Sequence, residues 1–425
     1  MHYIADLHLH SHYAYATSKL LQLETIHQWA QIKGIHVIGT GDFTHPGWLK
    51  DLKEKLVPDG NGFYFLKEPS TTPALLGLQP SKREVRFCLS SEVSCIYKDG
   101  NRIHKGHYLL YVPDIATAVR INSYLSKRGD LNADGRPILN VSARNLLEIV
   151  LTVSRQAHLI PAHVWTPWFS ILGSKAGYNS IEACFQDLSS HIFALETGLS
   201  SDPAMNWQWS KLDKYAMVSN SDAHSLQNIG REATLFDTSL SYDGLFNALR
   251  TKKGFLGTLE FFPQEGKYYL DGHRKCKVCM TPQETKKYKG KCPVCGMLVT
   301  VGVLHRVLAL ADRSLPKKPA IAPNFQYIIP LMEIIAEISQ KGVKTKTVQN
   351  TFVKLINLFG DEFTFLRHTP IATIEKHLGS LYATALHRLR NHLIDPQPGY
   401  DGEYGKIQLL KAKEKQIATQ IFFSL

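Results

Sequence analysis

Side chains that bind divalent metals recur at one kind of place in this chain, directly after short apolar, β-rich runs. Asp6, His8 and His10 alternate in Asp-Leu-His-Leu-His, a spacing that puts them on one face of an extended strand and its exit. His12 follows. Asp42 and His45 come just after the run 36–40, and Glu92 ends the run 85–92. His104 and His107 precede the run 108–112, and His163 follows 159–162. Glu196 ends 193–196, and Asp222 and His224 follow 216–219. A buried set of this kind must be paired or coordinated. Several imidazoles with several carboxylates suit two or three divalent metals, zinc, manganese or magnesium. Two such ions about 3.5–4 Å apart activate water and hold the attacking and leaving oxygens of a phosphoester. The expected chemistry is metal-dependent phosphoester hydrolysis, with Asp42, Glu92 and Asp222 as its carboxylates.

The elements that must carry these residues alternate. Helical patterns at 23–33, 143–157 and 242–252 lie between the β-rich runs, the first of which is 3–7. That order implies an α/β fold with a parallel sheet or barrel, whose C-terminal strand ends form the functional face. A chain of 425 residues exceeds the roughly 250–300 that one core serves. The expected division is a metal-dependent phosphoesterase domain at 1–262, a four-Cys ribbon at 263–314, a helical domain at 315–405, and a helix or tail at 406–425. No apolar run nears the ~18 residues of a membrane span. The start, Met-His-Tyr-Ile-Ala-Asp, lacks the basic and apolar regions of a signal peptide. A cytoplasmic, reducing setting is expected, where seven cysteines serve as thiols and metal ligands rather than disulfides.

Charge separates the parts. Residues 1–265 hold 25 basic and 25 acidic side chains; 266–320 hold 12 and 3; 321–425 hold 12 and 9. The net +12 therefore lies wholly in the last 160 residues, which points to a polyanionic partner held by a basic appendage. Within it, Cys276-x2-Cys279-x12-Cys292-x2-Cys295 is the spacing of two knuckles converging on one structural zinc. Lys286, Lys287, Lys289 and Lys291, with Lys275 and Lys277 nearby, are placed to meet phosphates. Cys88, Cys95 and Cys184 read as buried thiols. Trp165, Trp168 and Phe169 directly follow His163 and are candidate walls of a pocket beside it.

Asp6-Leu-His-Leu-His10, Gly41-Asp42, Glu92, Pro161-Ala-His163 and Asp222-Ala-His224 resemble the motifs of the PHP (polymerase and histidinol phosphatase) superfamily. The resemblance implies a distorted seven-stranded β/α barrel with a trinuclear metal site. Its ligands would fall on His8, His10, Glu92, His107, His163, Asp222 and His224. Phe43 follows Asp42 where the family has Asp-His, so either His12 or His45 stands for the third metal position. Over the whole chain, a barrel, a four-Cys ribbon and a helical segment with Pro398-Gly-Tyr-Asp-Gly-Glu-Tyr-Gly405 resemble the endonuclease Q family, as do His163-Val-Trp-Thr-Pro-Trp168 and Glu196-Thr-Gly-Leu-Ser-Ser-Asp-Pro203. That implies a DNA repair endonuclease cutting 5′ to uracil, hypoxanthine, xanthine or an abasic site, with 315–405 as a helical DNA-binding domain, Trp165, Trp168 and Phe169 walling a pocket for an extruded base, and Lys286, Lys287, Lys289 and Lys291 on the DNA. The rival readings are a phosphatase of small phosphomonoesters and a DNA-binding scaffold with a degenerate metal site. Residues 416–425, with Gln416, Phe422 and Phe423, resemble a peptide that docks on sliding clamps, or else close the last helix.

Overall fold

The computed structural model describes residues 1–68, 75–78 and 83–415. The strand His2–Asp6 lies at the centre of the largest sheet, parallel to Val37–Gly39, which is parallel to Arg86–Cys88. On its other side it pairs antiparallel with Ala233–Asp237, and that strand pairs antiparallel with Phe255–Glu260. After Arg86–Cys88 the chain enters a long hairpin, Ser90–Asp99 against Arg102–Tyr111, whose second strand runs antiparallel to His158–Pro161. Ala194–Glu196 and Ala216–Val218 form a parallel pair. Val164 N donates to Glu196 O (3.1 Å) and Ser219 N to Thr234 Oγ1 (3.1 Å), so the strands close into a distorted β/α barrel.

The barrel is mixed, not parallel as the alternation suggested. Only Gly100 and Asn101 separate the two hairpin strands, with Gly100 at φ 56°, and a two-residue connection can join only antiparallel neighbours. The run 85–92 is likewise two strands: Arg86–Cys88 pairs parallel with Val37–Gly39, whereas from Ser90 the chain pairs antiparallel with Arg102–Tyr111, and the Leu89 carbonyl already accepts from Val112 N (3.2 Å).

The helices around the barrel start and stop where the sequence provides caps. Leu23–Lys33 ends at Gly34 in the left-handed conformation (φ 91°). Ser142 caps Ala143–Val153 by accepting from Asn145 N (3.2 Å), and Ser241 caps Tyr242–Thr251 from Gly244 N (3.1 Å). Five helices, Leu331–Ser339, Lys346–Phe359, Glu362–Arg367, Ile371–Leu378 and Ser380–Arg390, pack around Ile335, Phe352, Leu355, Phe365 and Leu386. They join the barrel through Trp29 stacked at 6.2 Å on Phe352 and through a buried ion pair, Lys33 Nζ to Glu362 Oε2 (2.9 Å).

The Cys-bearing module has a core of only Met280, Cys292 and Val299, with Cys276 and Val278 at its edge. So small an apolar cluster needs a staple. Its following helix, Val303–Leu310, is locked to the barrel by Arg306, which donates to the carbonyls of Leu172 and Tyr178 (2.9 Å each) in the loop after His163. Among the described residues no helix is long and apolar enough to cross a membrane.

Candidate metal centre

Two groups of potential ligands meet at one end of the barrel. His8, His10, Glu92 and Asp222 each offer an atom within 4.8 Å of the others, and so do Glu92, His107 and His163. Glu92 belongs to both. Its Oε2 lies 3.3 Å from His10 Nε2 and 3.7 Å from His8 Nε2, while its Oε1 lies 2.9 Å from His107 Nδ1 and 3.1 Å from His163 Nε2. A carboxylate facing a nitrogen pair on each side has the arrangement of a bridging ligand.

The donor set fits divalent cations on a direct observation. His8 Nε2, His10 Nε2 and Asp222 Oδ1 are buried, converge within 3.5 Å, and make no hydrogen bond among the described residues. Such orphaned polar atoms are rare in folded proteins and need a partner. Burial works against charge on His8, yet Glu196, Asp222 and Glu92 hold it well above its ordinary range; burial likewise opposes charge on His10, where Asp42 leads the groups holding it up. The pocket carries a surplus of negative charge suited to cations.

Each imidazole is fixed from behind. His8 Nδ1 donates to Glu196 Oε1 (3.0 Å), and Glu196 also accepts from His163 N and Asn220 Nδ2 (2.9 Å each). His10 Nδ1 donates to Asp42 Oδ1 (3.0 Å) while Asp42 Oδ2 accepts from Ser11 N (2.6 Å) and Ser11 Oγ (2.7 Å). Carboxylates behind metal-type histidines set the tautomer and aim the ring. Asp42, expected among the catalytic carboxylates, is fully buried and engaged on both oxygens, which places it behind His10 as its orienting partner. Glu196 does the same for His8. Sequence reasoning noted it among the metal-type residues but left it out of the site.

The structure separates the remaining candidates. His12 and His45 lie outside both ligand groups. His12 Nδ1 donates to Leu21 O (3.2 Å) and its ring packs on Tyr13 at 4.3 Å. His45 caps the helix Pro46–Lys55 by accepting from Gly47 N (3.2 Å), and its Nε2 reaches Asn132 O (3.2 Å). His224 sits at the rim, its ring 4.6 Å from His10 and its Nδ1 2.9 Å from Asp222 O. His104 stacks on Tyr178 at 3.8 Å, away from the centre. Trp165 is fully buried, donating through Nε1 to Asn206 Oδ1 (2.8 Å), and is core, not a pocket wall. Trp168 is 38% exposed and edge-on to Tyr268. Phe169 packs on His107 at 4.9 Å beneath Lys105.

One cation entirely missed in the sequence also enters the centre. Arg136 Nη1 lies 3.1 Å from Glu92 Oε2. No local pattern marks it.

In the ribbon the potential ligands that the structure brings together are not the four cysteines. His273, Cys276, Cys292 and Cys295 converge within 4.8 Å. Cys279 stands opposite Gly272 in the two-stranded ladder, whereas Val278 stands opposite His273, so the side-chain alternation turns Cys279 to the other face, where it is exposed. His273 had a readable signal: it precedes Cys276 by three residues, as Cys292 precedes Cys295. Lys286, Lys287, Lys289 and Lys291 are all exposed, and among the described residues none pairs with a carboxylate. The proposed clamp peptide, 416–425, lies outside the described residues.

Comparison with known proteins matches residues 205–253 to the family described as PHP-associated and 330–392 to the MJ0043 C-terminal domain. An uncharacterised protein of Methanocaldococcus jannaschii, MJ0043, is 31% identical over 271 residues, 62% of this chain but 33% of that protein, so the chain spans about a third of its length. The uncharacterised YqxK of Bacillus subtilis is 27% identical over 427 residues, 95% of this chain and 98% of that one. Among solved structures, the lesion-specific endonuclease PfuEndoQ of Pyrococcus furiosus has a TM-score of 0.84 at 29% identity, covering 100% of this chain and 99% of that chain. An endonuclease Q in complex with a 27-mer duplex bearing an abasic lesion at its active site has the same TM-score and identity over 98% of each chain. Fold and centre together define a PHP-type barrel protein with a shared His/Asp/Glu metal centre. Along nearly its whole length the chain is similar to the solved endonuclease Q structures, and residues 205–253 match the PHP-associated family.

Proposed function

We propose that this chain is a metal-dependent DNA repair endonuclease that hydrolyses the phosphodiester 5′ to a deaminated base (uracil, hypoxanthine or xanthine) or an abasic site. The observation that carries the reading is the pair of ligand groups sharing Glu92, in a chain that superposes along its whole length on an endonuclease Q seen with an abasic duplex. In this reading two or three divalent metals are held by His8, His10, Glu92 and Asp222 and by Glu92, His107 and His163, with His224 at the rim, and the ribbon holds one structural zinc. When bound, divalent metals at such a centre supply an activated water and Lewis-acid support for the phosphoester oxygens.

The protein's own part is positional. Glu196 and Asp42 hold His8 and His10 in one tautomer, so their free nitrogens point at a common locus. Trp168, exposed beside Tyr268, offers an aromatic surface for a base or its neighbour. The exposed lysines of the ribbon supply sequence-independent affinity for the phosphate backbone.

The test is incubation of the Mn-loaded protein with end-labelled duplexes carrying one uracil, hypoxanthine, xanthine or abasic site, beside an undamaged duplex and a nitrophenyl phosphate. The reading expects a single cut on the 5′ side of the lesion. Turnover of the small phosphomonoester with every duplex left intact would replace it with a phosphatase.

A further inference from the structure

Among the described residues Arg136 is the one guanidinium on the shared carboxylate of the centre, and the fold spends several hydrogen bonds on putting it there. It comes from the turn Asp134-Gly135-Arg136. Asp134 Oδ1 accepts from both Arg136 N and Tyr15 N (3.0 Å each), which ties the turn to the segment after His12. Gly135 N donates to Tyr13 O (3.2 Å), and Gly135 O accepts from Thr44 Oγ1 (3.3 Å). Gly135 lies so close to Asp42 that a Cβ would stand 2.4 Å from Asp42 Oδ2. The turn is thus seated on the carboxylate that orients His10, and Arg136 is registered against the ligand group through it.

The side chain is 25% exposed, with Nη1 on Glu92 Oε2. A guanidinium has five N–H donors. Only Nη1 makes a hydrogen bond among the described residues, so most of the fork is uncommitted. A counter-ion for Glu92 alone is not needed: that carboxylate already faces His8, His10, His107 and His163. A planar fork with free donors beside a phosphoester centre matches two oxygens of a phosphate, which a point charge does not.

We propose that Arg136 is a catalytic residue that binds a non-bridging oxygen of the scissile phosphate and steadies the charge that builds there during hydrolysis. This rests on the endonuclease reading above, and it extends to any phosphoester the centre accepts.

The test compares wild type, Arg136→Gln and Arg136→Lys. Calorimetry measures Mn binding, and then inorganic phosphate binding to the Mn-loaded proteins; nicking of an abasic duplex is followed in parallel. Arg136→Gln should keep the melting temperature and the Mn stoichiometry but bind phosphate about 10- to 100-fold more weakly, the loss expected for a charged hydrogen bond. Nicking should fall in kcat, and Arg136→Lys should recover part of both because the charge returns without the fork. Unchanged phosphate affinity in Arg136→Gln would overturn the proposal, and so would a drop in Mn stoichiometry large enough to account for the loss. If wild type nicks no duplex while phosphate affinity still falls in Arg136→Gln, the assignment of Arg136 stands and the DNA reading fails.

Discussion

Removing the ribbon's charge is the most quantitative way to ask what the basic appendage touches. Lys286 and Lys287 close the short helix Pro282–Lys287, and Lys289 and Lys291 follow in the turn, Lys289 in the left-handed region (φ 53°). All four are exposed, so replacing them together with Gln leaves the ribbon's packing and its ligand group intact. Each phosphate no longer neutralised takes about 0.9 from the slope of log affinity against log salt, so four lysines account for at most about 3.6. Between about 50 and 200 mM salt, that slope corresponds to roughly a 150-fold fall in affinity that wild type undergoes and the variant escapes. If only two of them reach phosphates, the slope change would be near ~1.8. Fluorescence anisotropy of a labelled abasic duplex over a KCl series measures it, with zinc content and melting temperature checked to be unchanged. Parallel salt plots for the two proteins would refute the reasoning and leave the lysines as a solvated surface.

Glu92→Gln should remove a ligand from both groups at once, so divalent-metal stoichiometry and cleavage fall together while duplex binding, carried mostly beyond residue 265, persists; full nicking by this variant would sink the bridging assignment. His273→Ala should release the ribbon's zinc to a colorimetric chelator and loosen the module, whereas Cys279→Ser should retain it; the reverse pattern would restore the four-cysteine set. The Glu265 carboxyl, buried near Glu333 and Glu337, is pushed up from its ordinary 4.5 to about 8. Its folded-state value lies above the unfolded one, so its contribution is complete at low pH and is lost as pH rises from about 4.5 through about 8, an effect of about 5 kcal/mol at most. Glu265→Gln should therefore narrow the gap in melting temperature between pH 5 and pH 9, and an unchanged gap would show that the carboxyl is already ionised in the fold.

What could be read in the sequence was whatever a strand's own geometry fixes. His8 and His10 alternate along an exit from a strand, and Glu92, His107, His163 and Asp222 each stand at or near a strand end, so their convergence follows once the strands close. The failures came where a neighbour in space decides. His12 and His45 have the right side chain within two or three residues of Asp42 or His10, but one turns to a carbonyl of its own loop and the other is taken by a helix terminus. Trp165 follows a ligand by two residues, yet a buried amide on Asn206 draws its indole inward. Cys279 completes a familiar spacing, but an antiparallel pairing gives adjacent residues opposite faces. Arg136 reaches the centre only because two separate segments, at Tyr13–Tyr15 and at Asp42–Thr44, hold its turn, a fact no local pattern carries.

The backbone at the centre explains why these side chains, and not their neighbours, converge. Asp42, His163 and Asp222 all have positive φ (50°, 28° and 46°), a region that costs a non-glycine residue on the order of 1–3 kcal/mol. Each lies where a strand gives way to a loop, and an ordinary extended continuation there would carry the side chain to the opposite face. The cost is sustained by what surrounds each turn. Asp42 is held by Ser11 and His10, Arg231 donates to the carbonyl of Asp222 (3.2 Å), and His163 N is fixed on Glu196 Oε2. Gly198 leaves the room that the His163 turn needs, since a Cβ at that position would stand 2.4 Å from His163 Cβ. Glu196, two residues earlier, aims His8 and holds the His163 backbone, so one strand end positions a ligand in each group. The two groups are therefore mechanically joined twice, in front through Glu92 and behind through Glu196. That double connection fixes the relative placement of the two groups, which is what the proposed hydrolysis would require of metals acting on one phosphate.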